Sequence, residues 1–450
     1  MKKFISAAIA ASLTAASAAV FPAFAAEENS PAIVVLGDSI ASGYGLEEGE
    51  SCYSEILSDY YGSSAYANFA VAGATSDDLA KQLEAPSDQL SSAVSDADIV
   101  VISIGGNDLI NYGARFLLDF AATNKFMTAG YTADDIPTRP TFGDLENMLD
   151  RSAAAAYIND AKNTLTLAKT TARLTANLRM TQTTKYDCII ETQIIPNIDK
   201  AVSAVRELNS DPDLKIVVQT IYDPLQFEEG FLDKNMSANR KTVINAVSPI
   251  FQDVLGVDPS STTAKCFKTQ LSEYAAEKGL IVADVYTDFT SAEAGKSGQY
   301  SWFFTDIQEE GDDLDFHPNK KGHLAIAATI ANAVGDMRND GGLMRKTFRS
   351  LTDKDSYPAA ALAAYKSAVG VFIGDVNLDD VIDSSDASEI LADYALTQTG
   401  APSALSEDQK IAGNIDRDEF IDATDASMVL SYYAYTQTGG TGSFRDFLAK

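Results

Sequence analysis

The chain contains little histidine, little cysteine and few basic residues. Its 450 residues include 2 histidines and 3 cysteines, and 34 lysines and arginines stand against 64 aspartates and glutamates, which gives a formal net charge of −30. This deficit of positive charge excludes the basic surface with which proteins bind nucleic acids or anionic membranes. Any function that needs an imidazole must use His317 or His323. We therefore expect no nucleic-acid partner, and only two residues are candidates for a histidine base.

The cysteines are also too few and too scattered for a disulfide framework. Cys52, Cys188 and Cys266 lie far apart, and an odd set of three permits at most one intrachain bridge. A bridge between Cys188 and Cys266 and a set of buried free thiols both fit the sequence. Neither the cysteines nor the histidines have the spacing of a metal site.

Long apolar runs are confined to the first residues of the chain. Residues 1–25 begin with Lys2 and Lys3, continue as an Ala-rich apolar run, and end in Ala-Phe-Ala, which fits the cleavage site of a signal peptide. A membrane anchor would need about 20 unbroken apolar residues, whereas serines, a threonine and Pro22 interrupt this run. No later segment is long and apolar enough to span a membrane. We therefore expect no membrane span and a secreted, extracellular protein.

Five short β-branched runs alternate with stretches of helical character. They occupy residues 32–36, 65–71, 99–104, 215–221 and 280–284. Such alternation predicts a parallel sheet wound with helices on both faces, which is the α/β fold class. In this architecture functional residues collect at the carboxyl ends of the strands.

The connection between the third and fourth strands is unusually long. A parallel crossover needs only about a dozen residues, but here a helical insert is expected at about 109–210. Residues 150–185 and 187–208 have helical composition, with Pro196 as a kink, and residues 112–143 read as loop. The insert is either a pair of packing helices or a lid beside the site.

The composition changes after the first domain, which we place at residues 26–340. Residues 341–369 have the character of a linker, and residues 370–450 contain an internal repeat. Residues 375–400 align with 414–439 at an offset of 414 − 375 = 39, and about half of the columns are identical. Two copies are too few for a solenoid and predict a small two-fold module.

Polar motifs follow three of the strands and precede the last helix of the first domain. They lie at 37–40, 68–75, 104–108 and 315–323, and the first of them contains Gly-Asp-Ser. By itself this tripeptide is often only a helix N-cap. A serine at a sheet edge can act as a nucleophile when a base and oxyanion donors lie beside it. The four motifs together predict such a site.

Residues 31–337, which carry these motifs, resemble the SGNH or GDSL-type hydrolases, a family of esterases and lipases. The resemblance implies a flavodoxin-like, three-layer α/β/α fold and serine-dependent ester hydrolysis without a catalytic cofactor. By position, it implies that Ser39 is the nucleophile and His317 the general base. It also implies that Gly73 and Asn107 complete the oxyanion hole with the backbone N–H of Ser39.

The acid of the triad departs from the family pattern. The family commonly places it three residues before the base, a position that Leu314 occupies here, whereas Asp315 lies two residues before. Either Asp315 reaches the imidazole through a bent loop, or a backbone carbonyl near Leu314 orients the ring. We favour Asp315. His317 is preferred to His323 as the base because Pro318 fixes the turn that follows it, and His323 is expected to be an ordinary helix-entry residue.

The repeat contains two twelve-residue loops with EF-hand spacing. Oxygen-bearing side chains occupy loop positions 1, 3, 5, 9 and 12, and position 7 can offer a backbone carbonyl. The expected calcium ligands are Asp375, Asn377, Asp379, Val381, Asp383 and Asp386 in the first loop, and Asn414, Asp416, Asp418, Phe420, Asp422 and Asp425 in the second. We expect two structural calcium ions, the second bound more weakly because its loop begins with a neutral residue.

Residues 370–439 resemble a type I dockerin, an all-α calcium-binding module with paired EF-hand-like loops. The resemblance implies a cohesin module of a scaffoldin as the partner, contacted by residues 384–385 and 423–424. Asp380 and Glu419 replace the glycine that is usual at loop position 6.

Three functions follow from these observations. The first is a secreted carbohydrate esterase that removes acetyl or similar groups from esterified plant cell-wall polysaccharide within a cellulosome-like complex. The alternative is a lipase or lysophospholipase acting on lipid esters, in which residues 112–143 and the aromatic run 302–304 would line an acyl channel. A scaffold-binding protein with an inactive hydrolase fold is a third, disfavoured by the complete set of site residues.

Overall fold

The structure is a computed structural model that describes most of the chain in several stretches. The described residues are 31–61, 63, 65–179, 188–258, 265–291, 295–298, 301–303, 315–334, 373–379, 381–416, 420–440 and 444–448. The expected leader at 1–25, the expected linker at 341–369, and the residues Leu314, Asp380, Asp418 and Glu419 lie outside the described residues. Within the described stretches, no helix has the length and apolar character that crossing a membrane requires.

A parallel sheet forms the centre of the first domain. Its strands are β1 (Ala32–Gly37), β2 (Ala65–Asn68), β3 (Ile99–Ser103), β4 (Lys215–Gln219) and β5 (Ile281–Ala283). The strand order is β2-β1-β3-β4-β5, and each neighbouring pair is parallel. This is the flavodoxin-like order, in which β1 and β3 flank the switch point where ligands bind. The five predicted strands are therefore confirmed.

Helices cover both faces of the sheet. In chain order they are α1 (Ser39–Ser42), α2 (Tyr53–Tyr61), α3 (Ser76–Glu84), α4 (Asp88–Ser95), α5 (Gly106–Asn124), α6 (Phe142–Met148), α7 (Arg151–Asn159), α8 (Thr164–Leu178), α9 (Ile195–Leu208), α10 (Phe231–Asn235), α11 (Ala238–Leu255), α12 (Phe267–Lys278), α13 (Val285–Ser291) and α14 (Lys320–Val334).

Alternate residues of the strands point into two separate cores, as the period of a strand requires. Val34 of β1 and Val100 of β3 pack with α3, α4, α9 and α12 on one face. Ile33 and Val101 pack with α2 and α14 on the other face. The first domain is thus a three-layer α/β/α structure.

The long insert is helical, but its boundaries differ from the sequence expectation. The region 112–143 was expected to be a loop, which is wrong for 112–124, because these residues belong to α5, where Ala114, Leu118 and Ala121 form a buried stripe at helical spacing. The expected helix over 150–185 breaks at Asp160, whose carboxylate accepts the backbone N–H of Lys162 and starts a new turn. Residues 180–187 lie outside the described residues.

Pro196 lies in the first turn of α9, which follows a π-helical turn at Ile190–Ile194. A proline is tolerated there because the first N–H groups of a helix have no intrahelical partner. The expected kink is therefore a junction between the π turn and the α-helix.

Two expectations about buried side chains are settled by packing. Cys52, Cys188 and Cys266 are all buried free thiols, so the bridge between Cys188 and Cys266 is not formed. Trp302 and Phe303 are buried in the core beside α14, and both rings contact that of Phe289 edge-on. The idea that these two aromatic residues line an acyl channel is therefore wrong, while the third residue of the run, Phe304, lies outside the described residues.

The regular structure of the C-terminal module is helical in its described residues. They form α15 (Ser384–Gln398), α16 (Glu407–Gly413), α17 (Ala423–Gln437) and α18 (Phe444–Leu448). A small core of their own joins Val376, Ile390, Ile415 and Val429. The module is symmetric, because Val376 and Ile390 in the first copy of the repeat correspond to Ile415 and Val429 in the second.

Candidate active site

Ser39 is placed at the sheet edge by a tight turn that needs glycine. Gly37 ends β1 with φ of +146°, and a Cβ on it would lie 2.1 Å from the carbonyl oxygen of Ser103 in β3. The next residue, Asp38, donates its backbone N–H to that same oxygen at 3.1 Å and caps the short helix α1. Ser39 therefore begins α1 at the carboxyl end of the sheet, as the sequence predicts.

A hydrogen-bonded relay joins Ser39, His317 and Asp315. The Nε2 atom of His317 lies 3.0 Å from the Oγ atom of Ser39, and its Nδ1 atom lies 2.6 Å from Oδ1 of Asp315. The same Oδ1 atom accepts the backbone N–H of His317 at 3.0 Å. This second bond explains how an acid only two residues before the base reaches the ring. The turn folds back, so that the carboxylate of Asp315 lies beside the imidazole of His317. Between Asp315 and the carbonyl alternative, the carboxylate is the group that contacts the imidazole.

Contacts from distant elements hold the loop that carries His317. The hydroxyl of Tyr222, after β4, donates to the carbonyl oxygen of Phe316 at 3.0 Å. On the other side, the ring of Tyr44 lies 4.7 Å from the imidazole, centroid to centroid, and 56% of Tyr44 is exposed. A Cβ on Gly45, whose φ is +91°, would already touch His317. The loop that carries His317 is therefore fixed by Tyr222, and Tyr44 and Gly45 lie against His317 itself.

Asn107, which follows β3, contacts the segment that carries Gly73, and these are the two residues expected to complete the oxyanion hole. The side-chain amide of Asn107, at the start of α5, donates to the carbonyl oxygen of Ala74 at 2.9 Å. Ala74 follows Gly73, which is exposed, has φ of +81°, and has no heavy atom within 4 Å of a Cβ position. The amide nitrogen of an asparagine carries two N–H groups, so one remains for a ligand. The structure thus places Gly73 and Asn107 side by side on an open face.

Asp108 ties these two segments to each other. Its carboxylate accepts the backbone N–H of Ser76 at 2.8 Å and the hydroxyl of Ser76 at 2.7 Å. Because Asp108 adjoins Asn107, and Ser76 is three residues past Gly73, this pair fixes their relative position. Burial raises the pKa of the Asp108 carboxyl group.

Asp38 is a buried carboxyl group directly behind the nucleophile. It is 3% exposed, and its Oδ1 atom accepts the backbone N–H of Ile40 at 3.2 Å. Burial raises its pKa to about 7, with a smaller increase from the charge of Asp108, while the Ile40 N–H and the charge of His317 oppose the rise. The charge on this side chain is therefore sensitive to pH near neutrality.

The hydrogen bond and ring contact of His323 lie in the core of the first domain. His323 is fully buried in α14, where its Nδ1 atom accepts the backbone N–H of Tyr53 at 3.2 Å, and its ring stacks on that of Tyr53. Burial, and secondarily the charge of His317, lowers its pKa to about 3. It is a neutral core residue near the start of its helix.

Three residues that position the site were not predicted from the sequence: Asp38, Asp108 and Tyr222. Asp38 and Asp108 were visible inside the motifs at 37–40 and 104–108, but a motif does not show which partner a carboxylate faces. Tyr222 carried no sequence signal, because its partner Phe316 is 94 residues away.

The described parts of the two loops of the C-terminal module share one hydrogen-bond pattern. The carboxylate of Asp386, at loop position 12, accepts the backbone N–H groups of Val376, Asn377 and Asp383. Asp425 accepts the equivalent N–H groups of Ile415, Asp416 and Asp422.

The expected ligand side chains of the first loop also lie close together. The Oδ1 atoms of Asp375 and Asn377 both accept the backbone N–H of Asp379, at 3.1 and 3.0 Å. Hard oxygen donors in a tight loop suit calcium. Across the described residues, however, no group of three or more His, Cys, Asp or Glu side chains is arranged to hold a metal ion.

Several solved structures are similar to part of the chain. The chain is similar to phospholipase A1 from Streptomyces albidoflavus, with 16% identity, 68% of this chain and 99% of that chain covered, and a TM-score of 0.39. It is also similar to a lipolytic G-D-S-L family protein from Veillonella parvula (16% identity, 68% and 98% covered, TM-score 0.30) and a GDSL-like lipase from Bacteroides thetaiotaomicron (12% identity, 68% and 87% covered, TM-score 0.31).

No curated protein matches the sequence. The model of the GDSL-like Lipase/Acylhydrolase family matches residues 35–325, which is about two thirds of the chain and includes all five residues of the candidate site. The chain belongs to the GDSL-like lipase and acylhydrolase family.

Proposed function

We propose that the protein is a serine-dependent carboxylic ester hydrolase. The observation that carries the proposal is the continuous relay of Ser39, His317 and Asp315, with separations of 3.0 and 2.6 Å. Such separations lie within the range needed for a base to take a proton from a nucleophile and for an acid to orient that base.

The mechanism follows from these contacts. As the Oγ atom of Ser39 attacks the ester carbonyl carbon, its proton moves to Nε2 of His317, and Asp315 stabilises the imidazolium that forms. The imidazolium then gives the proton to the departing alcohol, which leaves an acyl group on Ser39. Water, deprotonated by His317, attacks the acyl carbon in the second half, releases the carboxylic acid and restores the Ser39 hydroxyl.

The oxyanion that forms in both steps needs fixed donors. In this proposal the backbone N–H groups of Ser39 and Gly73 and the second amide N–H of Asn107 supply them, which is supported by the contact of Asn107 with Ala74, the residue after Gly73. Donors that are fixed before the reaction stabilise developing charge without reorganisation, and loss of one such donor typically reduces kcat by about 10²–10³-fold.

Replacement of the nucleophile tests the proposal. Ser39→Ala should abolish hydrolysis of p-nitrophenyl acetate with little change in the thermal unfolding midpoint, and His317→Ala should be comparably inactive because the two residues act as a unit. Ser42→Ala is a matched control: Ser42 lies in the same short helix, and its hydroxyl only donates to the carbonyl oxygen of Ser39. Substantial activity in Ser39→Ala would refute the assignment.

The C-terminal module and the leader suggest where the enzyme acts. We propose that the chain is exported, that its paired loops bind two structural calcium ions, and that the module docks on a cohesin of a scaffoldin. In that setting the substrate is acetylated plant cell-wall polysaccharide. The exposed ring of Tyr44 beside His317 supports this, since a flat apolar face can pack against a sugar.

Lipid esters are the second candidate. An apolar cavity lined in part by Phe142 favours them, because the ring of Phe142 contacts that of Phe316, the residue before His317. Hydrolysis of acetylated xylan, compared with hydrolysis of a lysophospholipid and a triacylglycerol, separates the two candidates. Binding of a cohesin to the full chain, measured with calcium and with excess chelator, tests the docking role.

A further inference from the structure

Asn68, the last residue of β2, bridges the two backbone segments that carry Ser39 and Gly73. Its Nδ2 atom donates to the carbonyl oxygen of Ala41 at 2.7 Å, and its Oδ1 atom accepts the backbone N–H of Ala70 at 3.0 Å. A backbone carbonyl can only accept and a backbone N–H can only donate, so these two neighbours fix the orientation of the amide group. An amide satisfies both neighbours, whereas a carboxylate of the same shape satisfies only one.

The bond to Ala41 holds the short helix that begins with Ser39. Because α1 has only 4 residues, the carbonyl oxygens at its end need partners outside the helix. Ala41 is buried, where an unpartnered carbonyl oxygen would be costly. The hydroxyl oxygen of Ser54 in α2, which is also buried, accepts a second and longer bond from Nδ2 of Asn68 at 3.3 Å. The donor end of Asn68 is therefore held by packed groups on two helices.

The bond to Ala70 holds the segment that leads to Gly73. Beyond β2 the chain continues to pair with β1, because Val71 donates its backbone N–H to the carbonyl oxygen of Gly37 at 2.9 Å. The N–H of the preceding residue, Ala70, goes to the side chain of Asn68 instead. A turn follows, in which Gly73 has a left-handed φ of +81°. Asn68 thus fixes the base of the turn that presents Gly73.

Two links therefore join the turn after β1 to the segment after β2. The first is the backbone bond between Val71 and Gly37, and the second is the side chain of Asn68. They bracket Ser39, because Gly37 lies two residues before it and Ala41 lies two residues after it. One link alone would let the two segments rotate about it, whereas two separated links fix their relative orientation.

We propose that Asn68 is a positioning residue for ester hydrolysis, which holds the backbone N–H groups of Ser39 and Gly73 at the spacing that lets both bind the oxyanion. This inference rests on the proposed function, because the oxyanion forms only if Ser39 attacks an ester. Donors that are fixed before the reaction stabilise developing charge without reorganisation. Because Asn68 acts through two backbone segments, its effect belongs to the transition state and should appear in kcat rather than in KM.

Asn68→Asp tests the inference, because the substitution keeps the shape of the side chain and removes its donor. The carboxylate still accepts the N–H of Ala70, but it repels the carbonyl oxygen of Ala41. We expect kcat for p-nitrophenyl acetate to fall by about 10- to 100-fold with KM unchanged, a smaller loss than that of a whole oxyanion donor. The inhibition constant of phenylboronic acid, whose adduct with Ser39 imitates the tetrahedral intermediate, should rise by a similar factor.

Asn209→Asp is the matched control. The amide of Asn209 also donates to backbone carbonyl oxygens, those of Val94 and Ala97 at 2.9 and 2.8 Å, and its Oδ1 atom also accepts the N–H of the residue two positions later. It lies between α9 and β4, at the amino end of the sheet. The control should lower the thermal unfolding midpoint, as Asn68→Asp does, but keep the wild-type kcat. An equal fall of kcat in the control would overturn the inference, because lost stability would then explain both results.

Asn68→Ala removes both bonds without adding a charge, and it should likewise lower kcat with KM unchanged. It provides the test if the aspartate variant fails to fold. A wild-type kcat in the folded Asn68→Asp variant, or in Asn68→Ala where only that variant folds, would overturn the inference. A raised KM with an unchanged kcat would overturn it too, because Asn68 would then act on substrate binding.

The two hypotheses fail in different ways. If Ser39→Ala abolishes hydrolysis while the Asn68 variants keep the wild-type kcat, the proposed function stands and the inference about Asn68 is wrong. If Ser39→Ala retains hydrolysis, the proposed function is wrong, and the inference that rests on it is wrong too.

Discussion

The substitution Asp315→Asn gives the sharpest test of the relay, because one oxygen atom of Asp315 contacts both the ring and the backbone N–H of His317. Oδ1 contacts Nδ1 of His317 at 2.6 Å and also accepts the backbone N–H of His317 at 3.0 Å. Asparagine keeps an oxygen that can accept the backbone bond, so the turn should survive. It loses the negative charge that stabilises the imidazolium and can present an N–H to the ring, which favours the wrong tautomer.

The size of the effect follows from the exposure of the pair. The side chains of Asp315 and His317 are 31% and 27% exposed, so the pair is neither buried nor freely solvated. Two unit charges about 4 Å apart interact by about 1 kcal/mol in water and about 4 kcal/mol at an effective dielectric constant near 20. A partly exposed pair falls towards the upper part of this range, about 2–4 kcal/mol, and kcat should therefore fall by about 30- to 1,000-fold.

The assay is the kcat for p-nitrophenyl acetate, measured with the thermal unfolding midpoint of the same preparation. Asp160→Asn is a matched control, because the exposed carboxylate of Asp160 likewise accepts the backbone N–H of the residue two positions later, but lies in the insert. The control should retain wild-type kcat. If Asp315→Asn costs less than about tenfold, the carboxylate does not stabilise the imidazolium, and a backbone carbonyl becomes the better candidate for orienting the ring.

The sheet and the positions of the site residues could be predicted from the sequence because each leaves a local pattern in it. Buried parallel strands read as short runs of β-branched residues, and a motif directly after such a run must lie at the carboxyl edge. Ser39, Gly73 and Asn107 each follow a different parallel strand and were therefore expected at the same edge of the sheet, while their roles there came from the family resemblance. The sequence could not show how Asp315 reaches the ring, because that depends on a turn that bends back on itself.

The features that the sequence analysis missed depend on tertiary packing. Residues 112–124 were expected to be part of a loop, but they are helical because packing of the apolar stripe of α5 outweighs the cost of Gly113. Trp302 and Phe303 were candidates for a substrate wall, and only the core contacts with Phe289 show that they are structural. The positioning roles of Asp108 and Tyr222 involve partners 32 and 94 residues away.

Three further predictions concern the surroundings of the site and the C-terminal module. Asn107→Ala should reduce kcat by about 10²–10³-fold with little change in KM, whereas Asn163→Ala, which removes an amide that donates to the carbonyl oxygen of Tyr157 far along the insert, should not. Because burial raises the pKa of Asp38 to about 7, its contribution to stability is complete below about pH 4 and is lost as the pH rises towards 7, by at most about 4 kcal/mol. Asp38→Asn keeps an acceptor for the Ile40 N–H but does not titrate. Its unfolding midpoint should therefore change less between these pH values than that of the wild type. Equal changes in the two proteins would contradict the argument that burial raises the pKa of Asp38. Excess chelator should lower the far-UV helical signal of the full chain and abolish cohesin binding while ester hydrolysis continues. The reason is that the C-terminal module buries the carboxylates of Asp386 and Asp425, and their burial is costly unless a cation offsets their charge. If both the helical signal and cohesin binding persist in chelator, the module does not need calcium, and the paired loops are held by their backbone hydrogen bonds alone.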